Sequence, residues 1–166
     1  MTVPPVVLVV DVANVMGSRP DGWWRDRAAA ATRIVQGLAA LPGTVVPPHT
    51  GEGAPARVAR VLAVVEGRAR QIPQVGAVEV VRSPADGDSA VVRACGEVLA
   101  AGGHPLAVTA DRGLRASLPP GTAATGPGWL LRIMQNVEPV PVPVPVSEPA
   151  PGPGSGPASG PTADGR

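Results

Sequence analysis

Lysine, phenylalanine and tyrosine are missing from this chain of 166 residues, and all 14 of its basic residues are arginine. Alanine, glycine, proline, valine and arginine are abundant instead, which is the composition expected of a GC-rich genome. Codon bias of that kind removes lysine and aromatic residues from any protein, so their absence excludes no class of function. It does mean that the hydrophobic core has to be built from aliphatic side chains.

Cysteine and long apolar runs are also scarce. The lone Cys95 cannot form an intramolecular disulfide, and no secretory signal or apolar run near 18 residues is present. These absences predict a cytoplasmic protein without a membrane partner. Thirteen arginines and ten acidic residues precede residue 138, a mildly positive balance without a basic cluster. That balance is compatible with nucleic-acid binding but does not require it.

Predicted strands and helices alternate along the first part of the chain. A valine-rich run at residues 6–10, behind two prolines, is typical of a strand buried on both faces of a parallel sheet. Further strands are predicted at residues 58–65, 75–81, 106–109 and 122–125, and helices at 24–38, 89–101, 111–118 and 129–134. The alternation predicts an α/β domain with a central, mostly parallel sheet of order 3-2-1-4-5, flanked by helices.

The composition changes at residue 138. Alternating valine and proline continue to residue 146, followed by proline, glycine, serine and alanine. Such a segment has no face that could pack, so residues 138–166 are predicted to be a disordered tail after a domain of residues 1–137. A proline-rich extended segment also suggests a proline-recognising partner for the tail. The oligomeric state is left open.

Acidic residues follow or precede the predicted elements at one edge of the sheet. Asp11 ends the first strand with Asn14 three residues on, Asp111 follows the fourth strand, and Asp86 and Asp88 precede a helix. In a parallel sheet all these positions lie at the carboxyl edge, where α/β proteins bind ligands. The order 3-2-1-4-5 places Asp11 and Asp111 on neighbouring strands. Like charges that close favour a divalent cation with oxygen ligands.

Each acid also has a structural explanation. Asp88 and Asp111 are suitable helix N-caps, and Asp26 can pair with nearby arginines. Glu66 ends the second strand and is either a further metal ligand or a solvated side chain. Asp11 is the hardest to explain structurally, because a carboxylate at the end of an apolar central strand is costly to desolvate without a partner.

Three segments resemble the signature regions of the NYN group of PIN-like nucleases. They are VVDVANV at residues 9–15, GDS at 87–89 and VTADRGL at 108–114, and the resemblance covers residues 5–135. It implies a three-layer PIN-like domain that hydrolyses phosphodiester bonds, usually of RNA, with Mg²⁺ or Mn²⁺. The roles carried over place catalytic residues at Asp11, Asp88, Asp111 and Asn14, the three aspartates being the metal ligands.

One position departs from the pattern of that family. Ser89 stands where many members have a second acid, and Asp86 is the candidate to replace it. Two alternatives therefore stay open beside a metal-dependent ribonuclease. One is a non-catalytic RNA-binding or scaffold module of the same fold, and the other is a nucleotide pyrophosphohydrolase acting at the same edge.

Two tryptophans next to arginines suggest a surface for RNA. Arg19, Trp23 and Arg25 lie just beyond the Asp11 edge, and Arg112 follows Asp111. Aromatic rings that stack on bases beside arginines that bind phosphates are typical of single-strand recognition. The structural alternative is that Trp24 fills the core while Trp23 covers the surface.

Overall fold

The computed structural model describes residues 2–137. Within them, six strands, five α-helices and two 3₁₀ turns follow one another in chain order. The strands are β1 (Pro5–Asp11), β2 (Val45–Val46), β3 (Ala56–Val65), β4 (Val78–Arg82), β5 (Pro105–Val108) and β6 (Ala123–Thr125). The helices are α1 (Val12–Gly17), α2 (Arg27–Leu38), α3 (Gly87–Ala100), α4 (Arg112–Ser117) and α5 (Pro127–Gln135), and the 3₁₀ turns are Trp23–Arg25 and Gly67–Gln71.

The six strands form one sheet with β1 at its centre. The order is β2-β3-β1-β5-β6, and β4 pairs with the second half of β3. All neighbours are parallel except β2, which pairs antiparallel with the start of β3. The five strands predicted from the sequence correspond to β1, β3, β4, β5 and β6, so the predicted order 3-2-1-4-5 is confirmed.

The alternating side chains of β1 enter two separate hydrophobic cores. Leu8 and Val10 face the core covered by α1, α2 and α5, whereas Val7 and Val9 face the core covered by α3 and α4. Because both faces are covered, β1 reads as a continuous apolar run rather than as alternating polar and apolar residues. The predicted three-layer α/β architecture is confirmed. Cys95 is a buried residue of the second core, and this burial raises the pKa of its thiol to about 11.

The first helix and its neighbour differ from the sequence prediction. Residues 12–17 form α1, which was not predicted because fewer than two turns carry no helical periodicity. The next helix begins at Arg27 rather than at residue 24, since the side chain of Asp26 caps it by accepting from the backbone N of Ala29. Trp23 and Trp24 lie in a 3₁₀ turn before that cap.

The predictions for residues 138–166, including the tail and its partner, lie outside the described residues. In the part of the chain that the structure describes, no helix combines the length and the apolar character needed to cross a membrane.

Candidate active site

Asp11 ends the central strand as a buried carboxylate. Its side chain is held at both oxygens: Oδ1 accepts from the backbone N of Asn14 at 3.1 Å, and Oδ2 accepts from Thr109 Oγ1 at 3.2 Å. The first of these bonds caps α1, which explains why the chain turns directly from β1 into a helix. The second lies in the interior, where Thr109 is fully buried.

Asn14 and Thr109 tie the end of β1 to the segment after β5. Asn14 Oδ1 accepts a hydrogen bond of 2.7 Å from the backbone N of Ala110. Thr109 Oγ1 donates to Asp11 and accepts from the backbone N of Asp111 at 3.1 Å. The resemblance places Asn14 among the catalytic residues; in the structure, its side-chain amide positions the Asp111 segment relative to Asp11.

Asp111 lies at the N-terminus of α4, three residues after β5, the strand next to β1. Its Oδ1 accepts from the backbone N of Leu114 at 2.9 Å, the capping contact that the sequence allowed. The side chain is exposed, as is that of Arg112 beside it. Asp111 therefore combines a capping role with an accessible carboxylate at the carboxyl edge of the sheet.

Asp86, Asp88 and Ser89 form the start of α3. Asp86 caps the helix, with Oδ1 accepting from the backbone N of Ser89 at 2.7 Å and Oδ2 from Ser89 Oγ at 3.1 Å. These bonds lower the Asp86 pKa and engage both of its oxygens. Asp88 lies in the first turn, exposed, and the described residues offer its carboxylate no hydrogen-bond donor.

Glu66, directly after β3, reaches the start of the same helix. Its Oε2 accepts from the backbone N of Gly87 at 2.5 Å. Glycine lets this carboxylate approach closely, since a Cβ at position 87 would lie 2.9 Å from Glu66 Oε2 and would displace that side chain. A second carboxylate is thus fixed between the end of β3 and Asp88.

The acids of this edge influence one another electrostatically. The pKa of the Asp11 carboxyl is raised chiefly by burial, which its two hydrogen bonds oppose, and further by the negative charges of Asp88 and Glu66. The pKa of Asp88 is raised by partial burial and then by the charges of Asp111, Asp86 and Glu66. The structure therefore brings Asp11, Asp88, Asp111 and Glu66 into one region of negative potential.

These carboxylates do not form a ready metal site. Among residues 2–137, no group of three or more His, Cys, Asp or Glu side chains is arranged to hold a metal ion. Oxygen-only donors have the right chemistry for Mg²⁺ or Mn²⁺. In the present side-chain positions, however, Asp11 and Asp111 turn an oxygen to backbone N–H groups, and the geometry of a coordination sphere is not formed.

The predicted RNA-binding residues are spread over two places. Arg19 pairs with Asp21 at 3.5 Å, and Arg25 lies in the 3₁₀ turn before α2, whereas Arg112 lies on α4 beside Asp111. Asp26 caps α2 and does not join the acids of the carboxyl edge.

The two tryptophans lie opposite to the structural alternative given above, in which Trp24 fills the core and Trp23 covers the surface. Trp23 packs against the core, and the guanidinium of Arg27 covers its ring at 5.1 Å from the centroid. Trp24 is 59% exposed, so the expectation that it fills the core is wrong. The cap at Asp26 ends the 3₁₀ turn one residue after Arg25, and Trp24 in that turn lies largely on the surface.

Sequence reasoning missed the role of Thr109. Thr109 lies inside the segment that carries the family resemblance. The sequence feature that could have predicted its role is its position directly after a buried strand and two residues before Asp111. A hydroxyl at such a position can reach the strand next to it. Arg115 was missed as well; its Nε donates to the carbonyl of Thr109 at 2.9 Å.

Comparison with known proteins gives a fold and no family. No family model matches the sequence, and neither does any curated protein. Among solved structures, a crystal structure of Rae1 (YacP) from Bacillus subtilis has a similar fold, with a TM-score of 0.57 and 16% identity over 82% of this chain and 75% of that chain. A point mutant of Rae1 gives the same TM-score, with 18% identity over 78% of this chain and 75% of that one.

Proposed function

We propose that this protein hydrolyses RNA phosphodiester bonds at the carboxyl edge of its sheet. The observation that carries the proposal is the convergence of Asp11, Asp88 and Asp111, which come from three separate elements. Beyond the effect of burial, the charge of Asp88 raises the pKa of Asp11, and the charge of Asp111 raises the pKa of Asp88. Acids that destabilise one another are retained where a function needs them. The resemblance of the segments around Asp11, Asp88 and Asp111 to PIN-like nucleases supports the same activity.

Mg²⁺ or Mn²⁺ is the proposed cofactor, with Asp11, Asp88 and Asp111 as its ligands. Such an ion, when bound, neutralises the carboxylates and the negative charge that develops on the attacked phosphate. Binding requires the carboxylates to turn toward one point. Asp88 and Asp111 are exposed: Asp88 accepts no hydrogen bond within the described residues, and Asp111 engages only Oδ1, in capping α4. Asp11, by contrast, is anchored at both oxygens by Asn14 and Thr109. Asp11 is therefore the fixed member of the set and the other two adjust to it.

The residues around the acids have positioning roles in this proposal. Thr109 holds Asp11 Oδ2 and the backbone N of Asp111 together, so the two strand ends keep a constant separation. Asn14 restrains the same segment through Ala110. Glu66 adds negative charge near Asp88 and accounts for a fourth acid at the edge.

A non-catalytic RNA-binding module is the second candidate function. It is favoured by the lack of a group of three metal-ligating side chains in residues 2–137. It is also favoured by the contact between Ser89 and Asp86, which engages the acid that was the candidate replacement for the missing one. In this alternative, the fold and the RNA surface persist while the hydrolytic site has been lost.

A nuclease assay on the full chain separates the two candidates. Labelled single-stranded RNA, structured RNA and nucleoside triphosphates are incubated with Mn²⁺, with Mg²⁺ or with EDTA, and Asp11→Asn serves as the matched control. RNA cleavage that needs the metal and disappears in Asp11→Asn supports the ribonuclease. RNA binding without cleavage in any condition identifies the binding module, and hydrolysis of triphosphates alone identifies a nucleotide pyrophosphohydrolase.

A further inference from the structure

A polar cleft lies between the start of α2 and the 3₁₀ turn that follows β3. It has a volume of about 740 Å³ and is lined by residues of two segments, 24–28 and 67–71. Its side chains combine one exposed tryptophan, Trp24, with three arginines, Arg25, Arg27 and Arg68. This is a combination of an aromatic surface and positive charge, the two features that bind single-stranded nucleic acid.

Trp24 is the aromatic residue of this cleft that can accept a stacking partner. Its ring is 59% exposed, whereas the face of Trp23 is covered by Arg27 and its other side packs on the core. Trp23 meets Trp24 in an edge-on arrangement, with 6.2 Å between the ring centroids and an interplanar angle of 82°. The partly buried ring of Trp23 thereby supports the exposed ring of Trp24 and limits its rotation.

The arginines of the cleft keep their positive charge available. The ion pairs within residues 2–137 involve Arg19, Arg60 and Arg93, and none of the cleft arginines. Asp26 is the acid among the lining residues, and one of its oxygens is engaged in capping α2. The cleft therefore has an excess of positive charge, in contrast to the acidic edge next to it.

The cleft and the acidic edge are adjacent. Gly67 lines the cleft and directly follows Glu66, whose carboxylate contacts the backbone N of Gly87, the residue before Asp88. An RNA strand bound in the cleft can thus continue to the acids within a few nucleotides. Along this path the charge changes from positive to negative. The phosphates that flank the scissile bond would lie in the basic cleft, and the scissile phosphodiester would lie at the acids.

We infer that this cleft binds the single-stranded RNA next to the bond that is cleaved, with a base stacked on Trp24 and phosphates held by Arg25 and Arg68. The inference rests on the proposed ribonuclease function and names its substrate class as unpaired RNA. A base stacked on Trp24 has to leave a duplex, in which its faces are already covered by neighbouring bases. The cleft therefore selects against double-stranded RNA.

Binding in EDTA tests the inference without cleavage. A fluorescein-labelled single-stranded RNA of eight nucleotides and the corresponding duplex are titrated with the full chain by fluorescence anisotropy at several salt concentrations. Trp24→Ala is compared with Val45→Ala, the change of the other exposed large hydrophobic residue. Arg68→Ala is compared with Arg57→Ala, whose side chain lies at the opposite end of β3, about 30 Å away. Melting temperatures confirm that all four variants fold.

The expected result is a preference for the single strand. Trp24→Ala weakens single-strand binding by about 5- to 100-fold, as loss of one stacking platform does, and leaves the weak duplex binding unchanged. Arg68→Ala lowers the slope of log K against log salt by about 0.7, which corresponds to one phosphate contact. Neither control variant changes affinity or slope.

Two outcomes overturn the inference. They are a Trp24→Ala variant that binds the single strand as the wild type does, and equal affinity of the wild type for single strand and duplex. The fate of the proposed ribonuclease is read separately, from cleavage in Mn²⁺. Cleavage that persists while Trp24→Ala binds normally rejects the cleft and keeps the nuclease. Trp24-dependent binding without cleavage supports the cleft and rejects the nuclease.

Discussion

The two edges of the sheet have opposite chemistry although the same strands form both. At the amino edge, β1 and β5 begin with Pro5 and Pro105, and two adjoining cavities of about 420 and 390 Å³ are lined largely by proline, valine and Trp129. Among residues 2–137, no carboxylate lines either cavity. At the carboxyl edge, β1 ends in Asp11 and β3 is followed by Glu66. Burial raises the pKa values of Asp11 and Asp88, and the charge of Glu66 raises both further.

The two edges differ in how they affect the stability of the fold. An apolar edge follows from ordinary burial, which stabilises a protein without further requirements. The acidic edge does the reverse, because burial of Asp11 and repulsion from Asp88 both oppose folding of the charged form. The gathering of destabilising groups at the carboxyl edge supports the proposal that this edge is the functional one.

The largest expected effect comes from the strand-end carboxylate. Asp11→Asn should abolish divalent-metal binding and lower any ribonuclease activity by about 100-fold or more, because the anchored ligand loses its charge. The amide keeps the shape of the side chain, so the fold should persist. Calorimetric titration with Mn²⁺ and the nuclease assay measure both. Unchanged metal affinity would remove Asp11 from the site.

A smaller effect is expected at the residue that joins the two strand ends. Thr109→Val keeps the volume but removes the hydroxyl that contacts Asp11 Oδ2 and the backbone N of Asp111. We expect a loss of about 1–3 kcal/mol in unfolding free energy and an activity lowered about 10-fold. Urea denaturation and kinetics measure these. Thr109→Ser is the control and should restore most of both; a serine variant as impaired as the valine variant would contradict the hydroxyl's role.

Position 89 should respond more weakly. Ser89→Asp adds an oxygen ligand beside Asp88, which is expected to tighten Mn²⁺ binding by a few-fold. It also replaces the hydroxyl that donates to Asp86, so the metal-free variant should be less stable than the wild type and should recover stability when Mn²⁺ is added. Thermal unfolding with and without Mn²⁺ shows both effects. If Mn²⁺ neither binds more tightly nor stabilises the variant, residue 89 does not face the site.

The charge of Asp11 predicts a pH dependence of stability in the absence of metal. The folded state raises the Asp11 pKa, so its contribution to stability is present below the unfolded pKa, about 3.9, and is lost as the pH rises through the folded value. Asp11→Asn does not titrate. In EDTA, the stability of the variant relative to the wild type should therefore increase as the pH rises through the folded-state pKa of Asp11. Urea denaturation at pH 4 and pH 7 measures the difference, and a constant difference would contradict it.

The smallest effect is expected at the amino edge. Val45 is 51% exposed on β2, and its truncation to alanine removes little buried surface. We expect Val45→Ala to change the unfolding free energy by less than about 0.5 kcal/mol and to leave metal binding and activity unchanged. Nuclease activity lowered in this variant would show that the functional surface extends to the amino edge, and the contrast between the edges would fail.

The central strand and the sheet order could be predicted because burial on both faces leaves a plain sequence pattern. The valine run of β1 and the alternation of elements were sufficient for both. The short α1 could not be predicted, since its six residues are stabilised by the Asp11 cap and by packing rather than by periodicity. The same limit applies to the 3₁₀ turn after β3, whose position depends on contacts with α2.

The common location of the acids at the carboxyl edge could be predicted, but their side-chain orientations and contacts could not. Their place after or before each element followed from parallel-strand topology alone. The engagement of Asp86 by Ser89 and of Glu66 by Gly87 depends on side-chain contacts that no spacing reveals. The exchange of Trp23 and Trp24 has a similar cause, because a rotation of one residue in a 3₁₀ turn decides which ring faces the core.

The contact between Asn14 and Ala110 joins residues 96 positions apart and has a consequence for folding kinetics. Parallel strands from both halves of the chain have to meet before this hydrogen bond and the one from Thr109 to Asp11 can form. Such long-range pairing slows folding, because the entropic cost of closing the loop is incurred before the stabilising contacts form. Until β5 has docked, Asp11 lacks the hydrogen bond from Thr109. The arrangement of the acidic edge therefore depends on the docking of β5 and cannot form from the first half of the chain alone.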